Sequence, residues 1–232
     1  MGLVNDFEAA ACAVPLLGPE HVVKLGGGEP VAGGPIAITG PGTGLGQAFL
    51  FWSGSRYEVH ASEGGHVDFA PRTALEIGLL GHLTQQFGRV SYERVLSGPG
   101  LRNVFAYLDA DPSFRNQVAP ETRAALDTED PAAVIVRQAV AGRDPVCLLA
   151  IHLFLSVLGA HAGNLALTVL ATGGVYIAGG ITPRLLDLIE RTGLREAFEA
   201  KGRLSPLLKK TPLYVVKHRE LGLLGAASLA MR

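Results

Sequence analysis

A carboxylate and an imidazole stand close together in the segment Glu63-Gly64-Gly65-His66, which follows a predicted strand. The two glycines between them permit a sharp turn that points both side chains into one space. Together the two groups offer acceptors and donors of hydrogen bonds, a combination that suits the hydroxyls of a polyol. An isolated His66 would more often be a structural histidine, and Asp68 just beyond it is better explained as the anchor of a turn.

A glycine occupies every second position from Gly40 to Gly46, between two predicted strands. Glycines let the backbone pass close to a ligand, and successive amide N–H groups can hold phosphate oxygens. The spacing excludes a Gly-x-Gly-x-x-Gly turn, and the lack of a Gly-Lys-Ser/Thr ending excludes a Walker loop. Two interpretations stay open: a β-hairpin that holds phosphate with Thr43 at its tip, or simply a tight hairpin.

Two further carboxylates lie where one predicted element gives way to the next. Asp6 follows Asn5 and a short apolar run and precedes a predicted helix, so it could be a general base on a hydroxyl or the N-cap of that helix. Glu93 lies between a strand-like piece and a helix. It could accept a hydrogen bond from a sugar hydroxyl, or form an ion pair with Arg94 or Arg102.

A second glycine-rich turn follows an apolar strand, where Gly179-Gly180 lead into another helix. We expect Thr182 to be the N-cap of that helix and Pro183 its first residue. Close approach of the backbone at the glycine pair suits the ribose and adenine of a nucleotide. The alternative is a turn that is tight for steric reasons alone.

The elements that must position these groups are three strands in succession, followed mainly by helices. Hydrophobic patterning predicts strands at 35–39, 47–52, 57–61, 174–178 and 212–217, the first three as an antiparallel meander. It predicts helices at 7–17, 74–87, 100–108, 131–141, 145–171 and 222–231, with a surface connection at 109–130. No linker is long enough to separate independent domains.

Composition narrows the class of protein. The 232 residues are 48% hydrophobic with a formal net charge of −1, which argues against disorder and gives no reason to expect nucleic acid or an anionic membrane as partner. Cys12 and Cys147 form neither a disulfide framework nor a zinc signature.

The stretch from Val146 to Leu170 is long enough for a membrane span, but its polar residues favour a central buried helix. The first residues lack the pattern of a signal peptide, so we expect a cytoplasmic protein.

Taken together and in this order, the chemistry-bearing segments resemble the bacterial glucokinase family, within the sugar-kinase, heat-shock-ATPase and actin superfamily. The match covers nearly the whole chain. The strings that carry it are 40–46, 63–71, 93–100 and 173–180, with support from 163–167 and 222–225. The cysteine-rich zinc motif of the related repressor–kinase branch is absent after His66, which favours the glucokinase branch.

The resemblance implies an α/β protein with the actin-like ATPase (ribonuclease H-like) fold. It divides the chain into 1–39, a remnant of the small lobe, and 40–232, a complete large lobe. Family members begin with a β-hairpin carrying an Asp-x-Gly-x-Thr-Asn-type segment that organises Mg²⁺ and holds the nucleotide phosphates. Nothing of that kind precedes Asp6, so we expect a small lobe truncated at its N-terminus, with an exposed sheet edge and exposed apolar surface.

The resemblance also implies an activity, phosphoryl transfer from Mg·ATP to the 6-hydroxyl of glucose. Asp6 would be the general base. The other sugar hydroxyls would be held by Asn5, Glu63, His66 and Glu93, the transferring phosphate by Gly42, Thr43 and Gly44, and the adenosine by Gly179 and Gly180. The ligands expected are therefore glucose, ATP and Mg²⁺, with no metal ligand from the protein, and a homodimer is compatible with the resemblance.

The missing first phosphate segment sets a limit on this expectation. Positioning supplies a large part of the catalysis of phosphoryl transfer, so its partial loss predicts little or no turnover even with Asp6 intact. The alternative to a glucose kinase is therefore a non-catalytic sugar-binding or interaction remnant of the same fold.

Overall fold

One six-stranded sheet organises the protein, whose computed structural model describes residues 5–189, 191–218 and 220–231. The strands are β1 (Val22–Gly26), β2 (Ile36–Pro41), β3 (Leu45–Trp52), β4 (Tyr57–Ser62), β5 (Gly174–Ile177) and β6 (Leu213–Val216), and their order in the sheet is β1-β6-β5-β2-β3-β4. β2, β3 and β4 form the predicted antiparallel meander, β2, β5 and β6 run parallel, and β1 pairs antiparallel with β6.

Eleven helices lie among the described residues. They are α1 (Asp6–Ala13), α2 (Ala74–Phe87), α3 (Gly98–Ala110), α4 (Pro112–Arg115), α5 (Pro120–Leu126), α6 (Pro131–Val140), α7 (Pro145–Val169), α8 (Leu186–Ile189), α9 (Leu194–Glu199), α10 (Ser205–Lys210) and α11 (Leu221–Ala230). The mixed α/β architecture that the sequence predicts is therefore present.

The sheet separates two hydrophobic cores. β2 is buried on both faces, because Ala37 points into the larger core while Ile36 and Ile38 point into the smaller one. Successive side chains of a strand point to opposite faces, so each face needs its own cover. The larger core is built around α7 and the smaller one lies beneath α1 and α11.

Helix α7 is the apolar stretch for which the sequence left a membrane span open. By length and composition alone it could cross a membrane, but 78% of its most apolar window is buried inside the fold. Side chains of Ile151, Phe154 and Leu158 belong to the larger core. The interpretation as a central buried helix is confirmed.

Several sequence-based boundaries hold and others fail. The helix at 74–87 is found as predicted, and those at 131–141, 145–171 and 222–231 end within about two residues of the prediction. The predicted N-cap at Thr182 is wrong. The residue before the 3₁₀ turn Thr182–Leu185 is Ile181, and the hydroxyl of Thr182 is buried without a hydrogen-bond partner. β1, α9 and α10 were not predicted.

The predicted lobe boundary between residues 39 and 40 lies inside β2. Residues on both sides of it therefore contribute to the same sheet, and the division into a small-lobe remnant and a large lobe stays a prediction. The apolar Leu3-Val4 on which the truncated strand was based lies outside the described residues.

Candidate active site

A single cavity of about 380 Å³ brings most of the predicted site together. Among its lining residues are nine of the ten that the sequence singles out: Asn5, Asp6, Gly42, Thr43, Gly44, Glu63, His66, Glu93 and Gly179. They come from α1, the β2–β3 hairpin, the turn after β4, the turn before α3 and the turn after β5. Five segments spread over more than 170 residues thus converge at one edge of the sheet.

Asn5 and Asp6, at the start of α1, have different roles. Asn5 is the N-cap, since its Oδ1 accepts a hydrogen bond from the backbone N of Phe7 at 2.8 Å. Asp6 is the first residue of the helix, and its exposed side chain is left out of the cap. The alternative of Asp6 as N-cap is therefore wrong. Its carboxylate is available to the cavity, and Asn5 keeps its Nδ2 as a donor.

The imidazole of His66 stands between two carboxylates. Its Nε2 lies 3.9 Å from Oε2 of Glu63 and its Nδ1 lies 3.9 Å from Oε1 of Glu93. Both distances exceed a direct hydrogen bond, so each gap leaves the groups free to bond a third partner between them. The turn at Gly64–His66 packs against β3, where a Cβ on Gly65 would lie 2.1 Å from the carbonyl oxygen of Leu45.

Glu93 joins this group to the hairpin. Its Oε2 accepts a hydrogen bond from the backbone N of Leu45 at 3.0 Å, while its Oε1 faces His66. Arg94 lies over the ring of Phe87, 4.2 Å from the ring centre, rather than against Glu93. The structure thus favours the role of Glu93 as an acceptor in the cavity over the ion pair with its neighbour.

Asp68 lies outside the cavity and has the structural role that the sequence favoured. Its Oδ1 accepts a hydrogen bond from Nε of Arg89 at 2.7 Å, and the same guanidinium donates to the carbonyl oxygen of His66. The pair fixes the chain just after the turn that carries His66.

The β2–β3 hairpin is closed by its own backbone hydrogen bond. Thr43 is exposed at its tip, as predicted, and the backbone N of Gly42 bonds the carbonyl oxygen of Gly44 at 2.8 Å. The N-terminus of α3 meets the hairpin, because the backbone N of Gly98 bonds the carbonyl oxygen of Gly42 at 2.8 Å. The N-terminus of this 13-residue helix, which carries a positive partial charge, therefore lies beside the tip of the hairpin.

Gly179 and Gly180, the two glycines after β5, differ in how much space surrounds them. Gly179 has φ of +86°, and a Cβ there would lie 2.3 Å from the carbonyl oxygen of Pro41, so the turn is tight for steric reasons at this residue. A Cβ on Gly180 would meet nothing within 4 Å. Gly180 lies between cavities of about 740 and 630 Å³, which leaves room for a nucleoside on either side.

Two residues that line these cavities were not singled out from the sequence. Arg184 lines both cavities beside Gly180, and Phe7 lines two of the three cavities described here. A cation near a predicted nucleotide turn could have been noted from the sequence, since Arg184 follows Gly180 by four residues. The contacts of Phe7 depend on the hairpin, which is distant in the sequence.

No group of three or more His, Cys, Asp and Glu side chains within the described part of the chain could hold a metal ion. A Mg²⁺ ion that arrives with a nucleotide would be held mainly by phosphate oxygens and water.

A partly buried polar cluster surrounds Tyr92, the residue before Glu93. Nζ of Lys201 donates hydrogen bonds to Oδ1 of Asn164 at 2.5 Å and to the carbonyl oxygen of Ala160, and Nδ2 of Asn164 donates to the hydroxyl of Tyr92 at 3.1 Å. The ring of His161 lies 4.5 Å from that of Tyr92. Burial lowers the pKa of Lys201 to about 8 and that of His161 to about 4.

Solved structures with the same architecture define the class of protein. The structure is similar to a glucokinase from an Antarctic psychrotroph, with a TM-score of 0.84 and 34% identity over 97% of this chain and 67% of that one. Glucokinase from Balamuthia mandrillaris, solved with glucose, and a ROK family glucokinase from Streptomyces griseus, solved with glucose and AMPPNP, share the fold at TM-scores of 0.85 and 0.63. Their identities are 22% and 20%, over 65% and 67% of those chains and 99% and 98% of this one. The fold is that of the actin-like sugar kinases.

Sequence relatives narrow the class to one family. Glucokinase from Shigella sonnei is 43% identical over 227 residues, which are 97% of this chain and 67% of that protein. Glucokinase from Nostoc sp. is 42% identical over 243 aligned residues, 100% of this chain and 71% of that protein. The family model described as Glucokinase matches residues 1–232, so the chain belongs to the glucokinase family. It spans about two thirds of the length of these relatives.

Proposed function

We propose that the chain provides the sugar site and the catalytic base of an enzyme that transfers a phosphoryl group from ATP to the 6-hydroxyl of glucose. One observation carries the proposal. Asp6, the four candidate sugar ligands and the phosphate-type hairpin line the same cavity. A base, an acceptor hydroxyl and a transferring phosphate must meet within a few ångströms for this reaction.

Glucose would be held by groups that the protein leaves unsatisfied in the cavity. The ring of His66 has a gap of 3.9 Å on either side. At the nitrogen that carries the proton, a hydroxyl can accept from the imidazole and donate to the neighbouring carboxylate, and at the other nitrogen a hydroxyl can donate to the ring or to the carboxylate. Nδ2 of Asn5 supplies a further donor beside Asp6. These groups would select a sugar because an analogue lacking a matching hydroxyl leaves a polar group unpaired.

The transferring phosphate would lie against Gly42, Thr43 and Gly44, with the N-terminus of α3 behind it. Backbone N–H groups and the helix dipole stabilise the charge that spreads over the phosphoryl oxygens. The adenosine would lie beside Gly179 and Gly180. ATP as donor is in line with the AMPPNP complex of the S. griseus relative, and Mg²⁺ bound with ATP supplies charge neutralisation.

In the reaction, the 6-hydroxyl oxygen forms a bond to the γ-phosphorus while the bond to the leaving oxygen of ADP breaks in line with it. The hydroxyl proton passes to the carboxylate of Asp6. Glu63, His66 and Glu93 keep the other hydroxyls in place throughout. Catalysis would come mainly from positioning and from the hairpin's electrostatic stabilisation. A cytoplasmic location and a role in glycolysis belong to the same proposal.

A second candidate is a sugar-binding protein without turnover. It is favoured by how few groups are available to the phosphate, because the hairpin and the start of α3, the candidates among the described residues, are bonded to each other through Gly98 and Gly42. The sugar ligands come from other turns and do not depend on these groups. The two candidates therefore make the same prediction for binding and opposite predictions for turnover.

A comparison of two sugars tests both candidates. With Mg·ATP, the chain should form a 6-phosphate from glucose, detected in a coupled assay, and none from 6-deoxyglucose, which lacks the acceptor hydroxyl. Calorimetry should find binding of both sugars. Binding without product would leave the second candidate, whereas a chain that binds neither sugar would contradict both.

Asn5 allows its cap and its proposed sugar contact to be separated. N5A should cost about 1 kcal/mol of stability, because α1 loses its N-cap, and should also weaken glucose binding about tenfold. N5S should keep most of the stability, since serine is a good N-cap, while still weakening glucose binding. Urea unfolding and calorimetry measure the two effects. Equal glucose affinity in wild type and N5S would remove Asn5 from the sugar site.

A further inference from the structure

The ring of Phe7 lies directly on the backbone of the β2–β3 hairpin. A Cβ on Gly46 would lie 2.1 Å from Cδ2 of Phe7, and a Cβ on Gly40 would lie 2.8 Å from its Cε2. Real Cβ atoms do not approach other atoms this closely. The two outer glycines of the hairpin therefore provide the flat surface on which this ring is seated.

The inner glycines of the same hairpin have other surroundings. A Cβ on Gly44 would lie 2.6 Å from Oε2 of Glu93, and a Cβ on Gly42 would meet nothing within 4 Å. The alternation of glycine along the hairpin thus divides its contacts. The outer pair contacts the ring of Phe7, which belongs to α1. Gly44 leaves room for the carboxylate of Glu93, and Gly42 is open to the cavity.

We infer that Phe7 is a positioning residue, which fixes Asp6 at a set distance from the phosphate hairpin. The inference rests on the proposed function. Asp6 is exposed and directly precedes Phe7, whose backbone N bonds the N-cap Asn5. The seat of the ring on Gly40 and Gly46 is thus the nearest side-chain contact that ties the first turn of α1 to the hairpin.

The rest of α1 is held mainly by packing against α11. The effect of Phe7 on the position of Asp6 can therefore be separated from its effect on the folding of the helix. Ala9 to Ala13 are buried, and α11 packs so closely that a Cβ on Gly225 would overlap the carbonyl oxygen of Ala9. Helix α1 should therefore stay folded when Phe7 is shortened. The freedom gained should be confined to its first turn, where Asp6 lies.

The first experiment replaces Phe7 by Ala in the full chain. Turnover of glucose with Mg·ATP should fall about 10- to 100-fold, as expected for a misplaced reacting group, while the KM for glucose and its calorimetric affinity change less than about threefold. Amide hydrogen exchange should rise at residues 7–9 and stay unchanged at 10–13. If Phe7 contributed only to general stability, F7A would not lower kcat while leaving KM nearly unchanged. It would also not raise amide exchange in the first turn of α1 alone.

The second experiment tests the contact itself by a double-mutant cycle. G46A should lower the Tm by about 5 °C, because its methyl group meets the ring, whereas G42A in the same hairpin should change it little. In F7A the methyl group has room, so F7A/G46A should be more stable than the sum of the two single changes predicts.

The outcomes separate this inference from the proposed function. Additive effects of F7A and G46A, or unchanged exchange at residues 7–9 in F7A, would overturn the role of Phe7 whether or not the chain turns over. A wild-type chain that forms no glucose 6-phosphate, yet shows the local exchange and the non-additive stability, would contradict the proposed function and leave the seating of α1 by Phe7 supported.

Discussion

Replacement of Asp6 by Asn should lower the turnover of glucose about 10³-fold and leave glucose affinity within about twofold of the wild type. The amide has the size of the carboxylate but cannot take the proton of the 6-hydroxyl, and general-base catalysis contributes about 10² to 10⁴ in rate. The sugar contacts assigned to Glu63, His66 and Glu93 are untouched. Coupled kinetics and calorimetry on the same preparation measure the two quantities.

The cap of α1 makes this variant easy to interpret. Because Asn5 caps the helix, D6N keeps the cap and loses only the charge at the helix N-terminus, worth about 0.3–1 kcal/mol. D127N, at an exposed aspartate after α5, controls for the loss of one carboxylate and should turn over like the wild type. Turnover in D6N equal to that of D127N would exclude Asp6 as the base, whereas a loss of glucose affinity would place Asp6 in binding instead.

The roles of Asn5 and Asp6 mark where prediction from sequence ends. Both residues are good N-caps, and adjacent positions cannot be ranked by propensity alone. The helix begins one residue earlier than a cap at Asp6 would require, and this register decides which side chain remains free for chemistry. A shift of one residue at a helix start is within the ordinary error of boundary prediction, yet here it separates a base from a cap.

The convergence of the site was predictable because it follows from order and topology. β2 and β5 are parallel neighbours, so the hairpin after β2 and the Gly179-Gly180 turn after β5 must meet at one edge of the sheet. The family resemblance, which the order of the motifs carries, predicted Glu63, His66 and Glu93 in the same site. What the motifs could not give is the distance between groups, such as the bond from Leu45 to Glu93, which joins residues 48 positions apart.

The missed elements are those whose stability comes from distant partners. β1 is half-buried and pairs only with β6, nearly 190 residues away, so its own sequence shows little of the alternation typical of a strand. α9 and α10 have six residues each, too few for a clear helical period. Thr182 was misassigned because its pattern is that of an N-cap, whereas the chain there forms a 3₁₀ turn that buries the hydroxyl.

Acid should destabilise the protein through His161, by about 2 kcal/mol between pH 7 and pH 5. Burial, with the positive charge of Lys201, lowers the pKa of His161 in the folded chain to about 4, from an ordinary value of 6.5. Between these two values only the unfolded chain binds the proton, so stability falls as the pH falls through this window. The loss approaches about 3 kcal/mol at pH 4, at about 1.4 kcal/mol per pH unit, and then ends.

The groups around His161 allow its contribution to be isolated. The lowered pKa of Lys201, about 8, affects stability only in the alkaline range, between that value and 10.5, so this amine adds no slope between pH 4 and pH 7. H161M has a similar volume, cannot titrate and removes an Nε2 that is buried without a partner. Its stability at pH 7 should match or exceed that of the wild type.

Urea unfolding at several pH values measures this contribution directly. The curve of H161M should be flatter than that of the wild type between pH 7 and pH 4, by about the amount assigned to His161. H152M, which changes a partly exposed histidine of the same helix, should keep the wild-type slope. If H161M and the wild type lose stability in parallel, the acid sensitivity belongs to other groups. A flatter curve for H161M, with the wild type and H152M sloping alike, would show that the cluster around Tyr92 needs an uncharged imidazole. A proton on His161 would add a second cation beside Lys201.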